Sequence, residues 1–352
     1  MKAKRLLLSF WVLVLLAGTG CTDDSGQSQS SQDSTQVGRN MQASLRLGWI
    51  PSGSFAGEVA GMTRFASEHS LNLNVEAGGQ GLNPTTLVQN GEDTFGTLAA
   101  SEVLAANEKG ANLVIIGVIN YFSPGGFVSL AKENITEPKD FEGKTVGMLP
   151  FGSTTLLYRS LLRENNVDRS KVKEITVSPE LRPFIQGNYE VHPVFVYDET
   201  VTLDQRGIEY NLIEPNKFGV TLKGPVYFTK QSTLKENPEL VEAFVKTMAD
   251  GWNYALENQE QVIQMLKEFA PEIDKEREEK VLAKGADYFR AYKGQPVNSD
   301  VESWSSMVEE LQNLDVIEGE VNLEKALELS FIHDYYTRTD STQVDSSAVA
   351  PR

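Results

Sequence analysis

The chain has 352 residues, 49 of them acidic and 32 basic, for a net charge of −17. That balance argues against nucleic acid, which needs a basic face, and marks a well-solvated surface rather than one specific partner. The length allows one large or two medium domains; a single cysteine excludes an internal disulfide, and three scattered histidines without HxxxH or CxxC spacing give no transition-metal site.

The first element in chain order is a targeting segment. Lys2, Lys4 and Arg5 form a basic start, LLLSFWVLVLLA an apolar run, and GTG a small-residue flank before Cys21. This order reads as a signal peptide over 1–20 rather than a spanning helix. A cysteine directly after small residues resembles the lipobox of bacterial lipoproteins, although Gly18 stands where leucine is usual. The resemblance implies cleavage before Cys21 and lipidation of its thiol. Three positive charges leave with the signal, so −17 becomes −20 in the mature chain. Residues 21–43 are polar and read as a lipidated, disordered tether, and 338–352 as a disordered tail.

Strand-like and helix-like segments then take turns. LRLGWI reads as a strand and FAGEVAGMTRFASEH as a helix with apolar residues at helical spacing. LNLNVEA alternates with period two, as a strand does. NPTTLVQNG is a short helix entered through Asn83 and Pro84 and stopped at Gly91. DTFGTLA is a strand, SEVLAANEKG a helix opened by Ser101, and NLVIIGVI a buried strand. A second unit repeats the scheme through FVSLA, KTVGML, a helix capped by Ser153, VKEITVS, VHPVFVY and IEYNLIEP. After PVYFT the pattern becomes helical, over 237–257, 258–270, 273–292 and 298–315. Such alternation implies α/β sheets with mainly parallel pairing. Ligands of open α/β sheets bind beyond the carboxyl ends of the strands, where helix N-termini gather.

Five stretches fall in an informative order: LGWIPSGSFAGEVAG, LVQNGEDTFGTLAASEVLAANEKGANLVIIGVI, ITEPKDFEGKTVGM, VFVYDETVTLDQRGIEYNLIEP and NPELVEAFVKTMADGWNYALENQEQVI. Together they resemble the ABC-importer solute-binding proteins for thiamine pyrimidine precursors, whose relatives bind nitrate, sulfonates and taurine. The resemblance implies the type II periplasmic-binding-protein fold: two α/β lobes, two crossover strands and a ligand cleft between them. Lobe one would hold 44–122 and 226–337, and lobe two 123–225. It also implies a monomer outside the cytoplasm, held to the membrane through Cys21. That monomer would hand a small-molecule ligand to an ABC permease without catalysis or cofactor.

The resemblance points to particular residues as well. Trp49, Pro51 and Phe55 lie in the loop after the first strand, where aromatics would stack on a ligand ring. Trp49 could equally be core packing at a strand end. Ser101, Ser153 and Thr154 begin helices, where capping and ligand contact are compatible roles. Tyr121 lies at the first crossover, as hinge packing or cleft wall. In Asp198-Glu199-Thr200 the pyrimidine group commonly has Asn-Glu-Pro, so the glutamate is kept and its neighbours differ. A carboxylate at Glu199 suits an aminopyrimidine and opposes an anion; as a plain acidic residue it would favour a helix N-terminus. Other readings stay open: a flavin or nucleobase receptor, a small-anion receptor, or an enzyme of pyrimidine synthesis. Against the last, the fungal synthesising members resemble a cysteine-rich iron site, and one cysteine cannot supply it.

Overall fold

The computed structural model describes residues 40–150, 152–290 and 292–347. The signal segment, Cys21 and most of the tether lie outside the described residues. Four strands come first: β1 (Met41–Arg46), β2 (Leu71–Glu76), β3 (Phe95–Ala99) and β4 (Leu113–Val118). Five follow from the middle of the chain: β5 (Gly125–Leu130), β6 (Thr145–Met148), β7 (Lys173–Thr176), β8 (Val191–Phe195) and β9 (Tyr210–Ile213). The last is β10 (Pro225–Lys230). The strand residues show why. In β2, Leu71, Leu73 and Val75 are buried while Asn72 and Asn74 are exposed, the signature of a sheet with one wet face. β4 is buried at all six positions and lies inside the fold.

The strands make two five-stranded sheets, in the orders β2-β1-β3-β10-β4 and β7-β6-β8-β5-β9. Each is parallel except for one strand. β10 runs antiparallel to β3 and β4, and β5 runs antiparallel to β8 and β9. In both cases the odd strand is the one that has just crossed from the other sheet. This is the mixed α/β architecture of two lobes joined by two crossover strands.

The crossovers are bonded to each other through the backbone. Ser123 donates to the Leu222 carbonyl at 2.9 Å and Gly224 to that of Asn120 at 3.0 Å. A Cβ on Gly224 would stand 2.6 Å from that of Asn120, so the two chains approach this closely only with glycine there. The C-terminal helices return to the first sheet. Helix Pro238–Glu257 buries Phe244 and Trp252; Phe244 stacks on Phe95 of β3 at 3.8 Å, and Trp252 meets Phe289 at 4.2 Å.

Three local expectations change. β1 begins at Met41, inside the stretch read as tether, because its polar face (Gln42, Ser44) lies to the wet side and carries no apolar signal. The helix read over 55–69 is three short pieces: α over Ala56–Ala60, π over Gly61–Phe65 and 3-10 over Ala66–His69. There the Thr63 hydroxyl donates to the Val59 carbonyl at 2.6 Å and competes for an acceptor the backbone would use. At the other end, Ser330–Ser347 is one helix that runs into the segment read as a disordered tail. Its first turns are anchored by Tyr335, whose hydroxyl donates to Asp250 at 2.6 Å, and by Tyr336, which donates to the Pro296 carbonyl at 2.8 Å. A helix already nucleated propagates cheaply into polar sequence.

Candidate ligand cleft

A cavity of about 400 Å3 lies between the sheets, lined by residues of both. Its wall on the first-sheet side starts where β1 ends. The chain turns at Gly48, whose N–H donates to Thr97 Oγ1 at 2.7 Å, and presents Trp49, Ser52, Ser54 and Phe55. The loop Gly78–Asn83 stacks behind it. A Cβ on Gly78 would stand 2.1 Å from the Leu47 carbonyl oxygen, so this backbone contact requires glycine. Asn83 ends the loop by capping the next helix, accepting from Thr85 N at 3.0 Å.

From the second sheet come Ser153 and Thr154 at the start of helix Thr154–Glu164, and Phe195, Tyr197, Asp198 and Glu199 after β8. Ser153 holds the N-cap position, yet its side chain caps nothing. Thr154 Oγ1 is buried without a partner among the described residues. So is Nδ2 of Asn120, whose Oδ1 accepts from the Tyr197 hydroxyl at 3.3 Å. Buried polar atoms are nearly always paired in native folds. Both orphans stand on the wall of one cavity.

The side chains that line the wall and can carry charge are acidic. Glu102, Asp198 and Glu199 line the cavity, and no lysine, arginine or histidine does among the described residues. Glu199 Oε2 accepts the Phe195 N–H at 2.7 Å, fixing the carboxyl at the head of its own helix. Burial, with the Asp198 charge beside it, pushes the Glu199 carboxyl up to about 7. Glu102, in the first turn of helix Ala100–Glu108, is also raised to about 7 by burial. Asp198 is held differently, as an ion-pair partner of Arg277 on helix Lys275–Phe289. Arg277 also bonds Glu278 at 2.7 Å, and Glu278 in turn accepts the Gly53 N–H at 2.6 Å. A chain of polar contacts thus runs from the Trp49–Phe55 loop to the Glu199 wall.

Of the residues singled out in the sequence, Trp49, Phe55, Ser153, Thr154 and Glu199 line this cavity. Pro51, Ser101 and Tyr121 do not. Ser101 is the second residue of its helix rather than the cap and is 1 % exposed, packed inward. Pro51 is half-buried beside the cavity loop. Tyr121 points to the hinge: its hydroxyl donates to Asp300 at 2.7 Å, its ring stacks on Tyr292, and Lys223 Nζ sits 3.7 Å from the ring centroid. Cys21 lies outside the described residues. The sequence reading passed over Glu102 and Asn120. Glu102 looked like any acidic residue of a first helical turn. Asn120 was flanked by the aromatic pair that drew notice, although adjacent residues of an extended segment face opposite ways.

Two α/β lobes, two crossovers and a lined interlobe cavity define the type II periplasmic-binding fold. The NMT1/THI5-like family model matches residues 60–262, more than half of the chain, which therefore belongs to that family. A curated relative from Legionella pneumophila, a 4-amino-5-hydroxymethyl-2-methylpyrimidine phosphate synthase, is 22% identical over 236 residues, covering 66% of this chain and 74% of its own. The riboflavin-binding protein RibY of Chloroflexus aurantiacus is 21% identical over 284 residues, covering 76% and 79%. Among solved structures, the periplasmic sulfonate-binding protein SsuA of Methylobacillus flagellatus superposes with a TM-score of 0.67 at 15% identity, covering 86% of this chain and 96% of its own.

Proposed function

We propose that the protein is the extracytoplasmic solute-binding component of an ABC importer, anchored through Cys21. It captures a small, flat, amine-bearing heterocycle, with 4-amino-2-methylpyrimidines as the first choice, and delivers it to a membrane permease. The observation that carries this reading is the cavity wall: Glu102 and Glu199 bring carboxyl groups without an ion-pair partner among the described residues, Asp198 is already paired with Arg277, and no cationic side chain of the described residues lines the cavity, which Trp49, Phe55, Phe195 and Tyr197 also line. An anion would meet like charge there, whereas an amine donates to the carboxylates and a ring stacks on the aromatics. The volume of about 400 Å3 lies at the small end of ligand pockets, ~300–1,000 Å3, and suits a single ring. The names of both curated relatives contain a flat nitrogen heterocycle. The RibY relative favours a flavin as the second reading.

Calorimetric titration with an aminopyrimidine, riboflavin and taurine tests the proposal. Glu199→Gln removes one charged acceptor, a change of about 1.5–3 kcal/mol, so aminopyrimidine affinity should fall roughly ten- to a hundredfold. Tight taurine binding that survives Glu199→Gln would replace this reading with an anion receptor. Riboflavin binding without aminopyrimidine binding would move the ligand to flavins.

A further inference from the structure

Among the described residues, Glu102 is the one carboxylate that the first-sheet side brings to the cavity. It stands on the first-sheet side, in the helix that directly follows β3, and faces the same space as Glu199 on the second-sheet side. It is half-buried, and it has neither a hydrogen bond nor an ion pair among the described residues. Glu199 differs, since one of its oxygens already takes the Phe195 N–H.

The bland account of Glu102 is a favourable charge at a helix N-terminus, worth about 0.3–1 kcal/mol. Solvent would provide that benefit without cost, whereas this carboxylate is turned into a cavity. Desolvating an unpaired charge costs more than the dipole returns. Its raised pKa of about 7 is the same cost seen in titration. Taking up a proton relieves that cost near neutral pH; above it, a hydrogen-bond donor arriving from outside the protein does so. The buried, unpartnered Thr154 Oγ1 and Asn120 Nδ2 in the same wall point to the same missing guest.

We propose that Glu102 is a second ligand-binding acceptor, paired across the cleft with Glu199, so that the preferred heterocycle carries hydrogen-bond donors on two separate edges. One edge is the amine of the ring. The other is a substituent ending in an ammonium or hydroxyl group. A carboxylate on each lobe also makes a doubly donating ligand bridge the two sides, which a ring with one donor edge does not do.

This rests on the aminopyrimidine reading, and the experiment separates the two. Three 4-amino-2-methylpyrimidines are titrated calorimetrically, differing only at ring position five: methyl, hydroxymethyl and aminomethyl. The proteins are wild type, Glu102→Gln, Glu102→Asp and Glu199→Gln, each first checked by thermal melting. In wild type the aminomethyl compound should bind at least tenfold tighter than the methyl one, with hydroxymethyl between. Glu102→Gln should cut that advantage to below about threefold, and Glu102→Asp should reduce it partly. In Glu199→Gln all three should weaken while the advantage persists. An equal or absent advantage in wild type, or one unchanged in Glu102→Gln, overturns the role of Glu102 and leaves the aminopyrimidine reading standing. Failure of all three compounds to bind wild type overturns that reading, and the inference with it.

Discussion

Thr154 shows how one side chain separates a structural role from a functional one. Its hydroxyl is buried and bonds nothing among the described residues, so the empty fold gains nothing from it. Replacing an unsatisfied buried hydroxyl by a methyl of the same shape is close to neutral. Thr154→Val should therefore leave the melting temperature of the unliganded protein unchanged or slightly raised. The same change should weaken the ligand by about threefold to tenfold, the worth of a neutral hydrogen bond of ~0.5–1.5 kcal/mol. A variant that melts well below wild type and binds equally well would make the hydroxyl a structural one. Ser153 beside it is the ordinary N-cap residue type, yet its side chain makes no cap.

At the scale of elements, the loops around the cleft are tied together by one polar chain. Gly53, Glu278, Arg277 and Asp198 link the Trp49–Phe55 loop to the start of helix Glu199–Gln205. Arg277 is contributed by a helix of the C-terminal run and Asp198 by the middle of the chain, so their ion pair latches one lobe to the other. Cutting it with Arg277→Ala should raise the ligand dissociation rate several-fold and affect association little, because a partly exposed pair is worth on the order of 1 kcal/mol. Stopped-flow measurement of both rates checks this; an unchanged dissociation rate would sink the latch. Arg277 and Asp198 stand far apart in sequence, and that explains what sequence can and cannot reveal. Helices Pro238–Glu257, Gln259–Phe269 and Lys275–Phe289 were legible because their signal is a local apolar period. So was the helix Pro84–Asn90, with its Asn83 cap and Gly91 stop. For Tyr121 the sequence left hinge packing and cleft wall open, because the partners that decide for packing, Lys223, Tyr292 and Asp300, are remote in the chain. Glu102 was missed because a charge on a first helical turn has the same sequence signature whether solvent or a ligand meets it.

For the whole molecule, burial of acids sets the pH response. Glu58 is 0 % exposed; its Oε1 accepts from the Tyr227 hydroxyl at 2.7 Å, and its Oε2 has no partner among the described residues. Burial pushes this carboxyl from 4.5 up to about 7. Glu102 and Glu199 are raised in the same sense. A folded-state pKa above the unfolded one means that the folded protein holds the proton more tightly. The associated stability is complete below about 4.5 and is lost as pH rises through about 7. For Glu58 alone the change is on the order of 3 kcal/mol. Melting temperature should therefore fall by several degrees between pH 5 and pH 8, and Glu58→Gln, which cannot ionise, should lose much of that slope. A Glu58→Gln profile as steep as wild type would show that other groups set it.

The placement of β10 carries a consequence for how the chain comes to be folded at all. The second sheet is written in one uninterrupted stretch, Gly125 to Ile213, and contains every strand it needs. The first sheet is not, because β3 and β4 do not touch: β10, made more than a hundred residues after them, is the strand that joins them. A chain emerging in order must hold a three-stranded piece, β2-β1-β3, and the lone strand β4 with open edges while an entire neighbour is built in between. Those edges are unpaired for as long as synthesis of that insert takes, and unpaired strand edges invite aggregation. The arrangement that places both crossovers side by side at the hinge thus obliges the earlier-made lobe to be finished last.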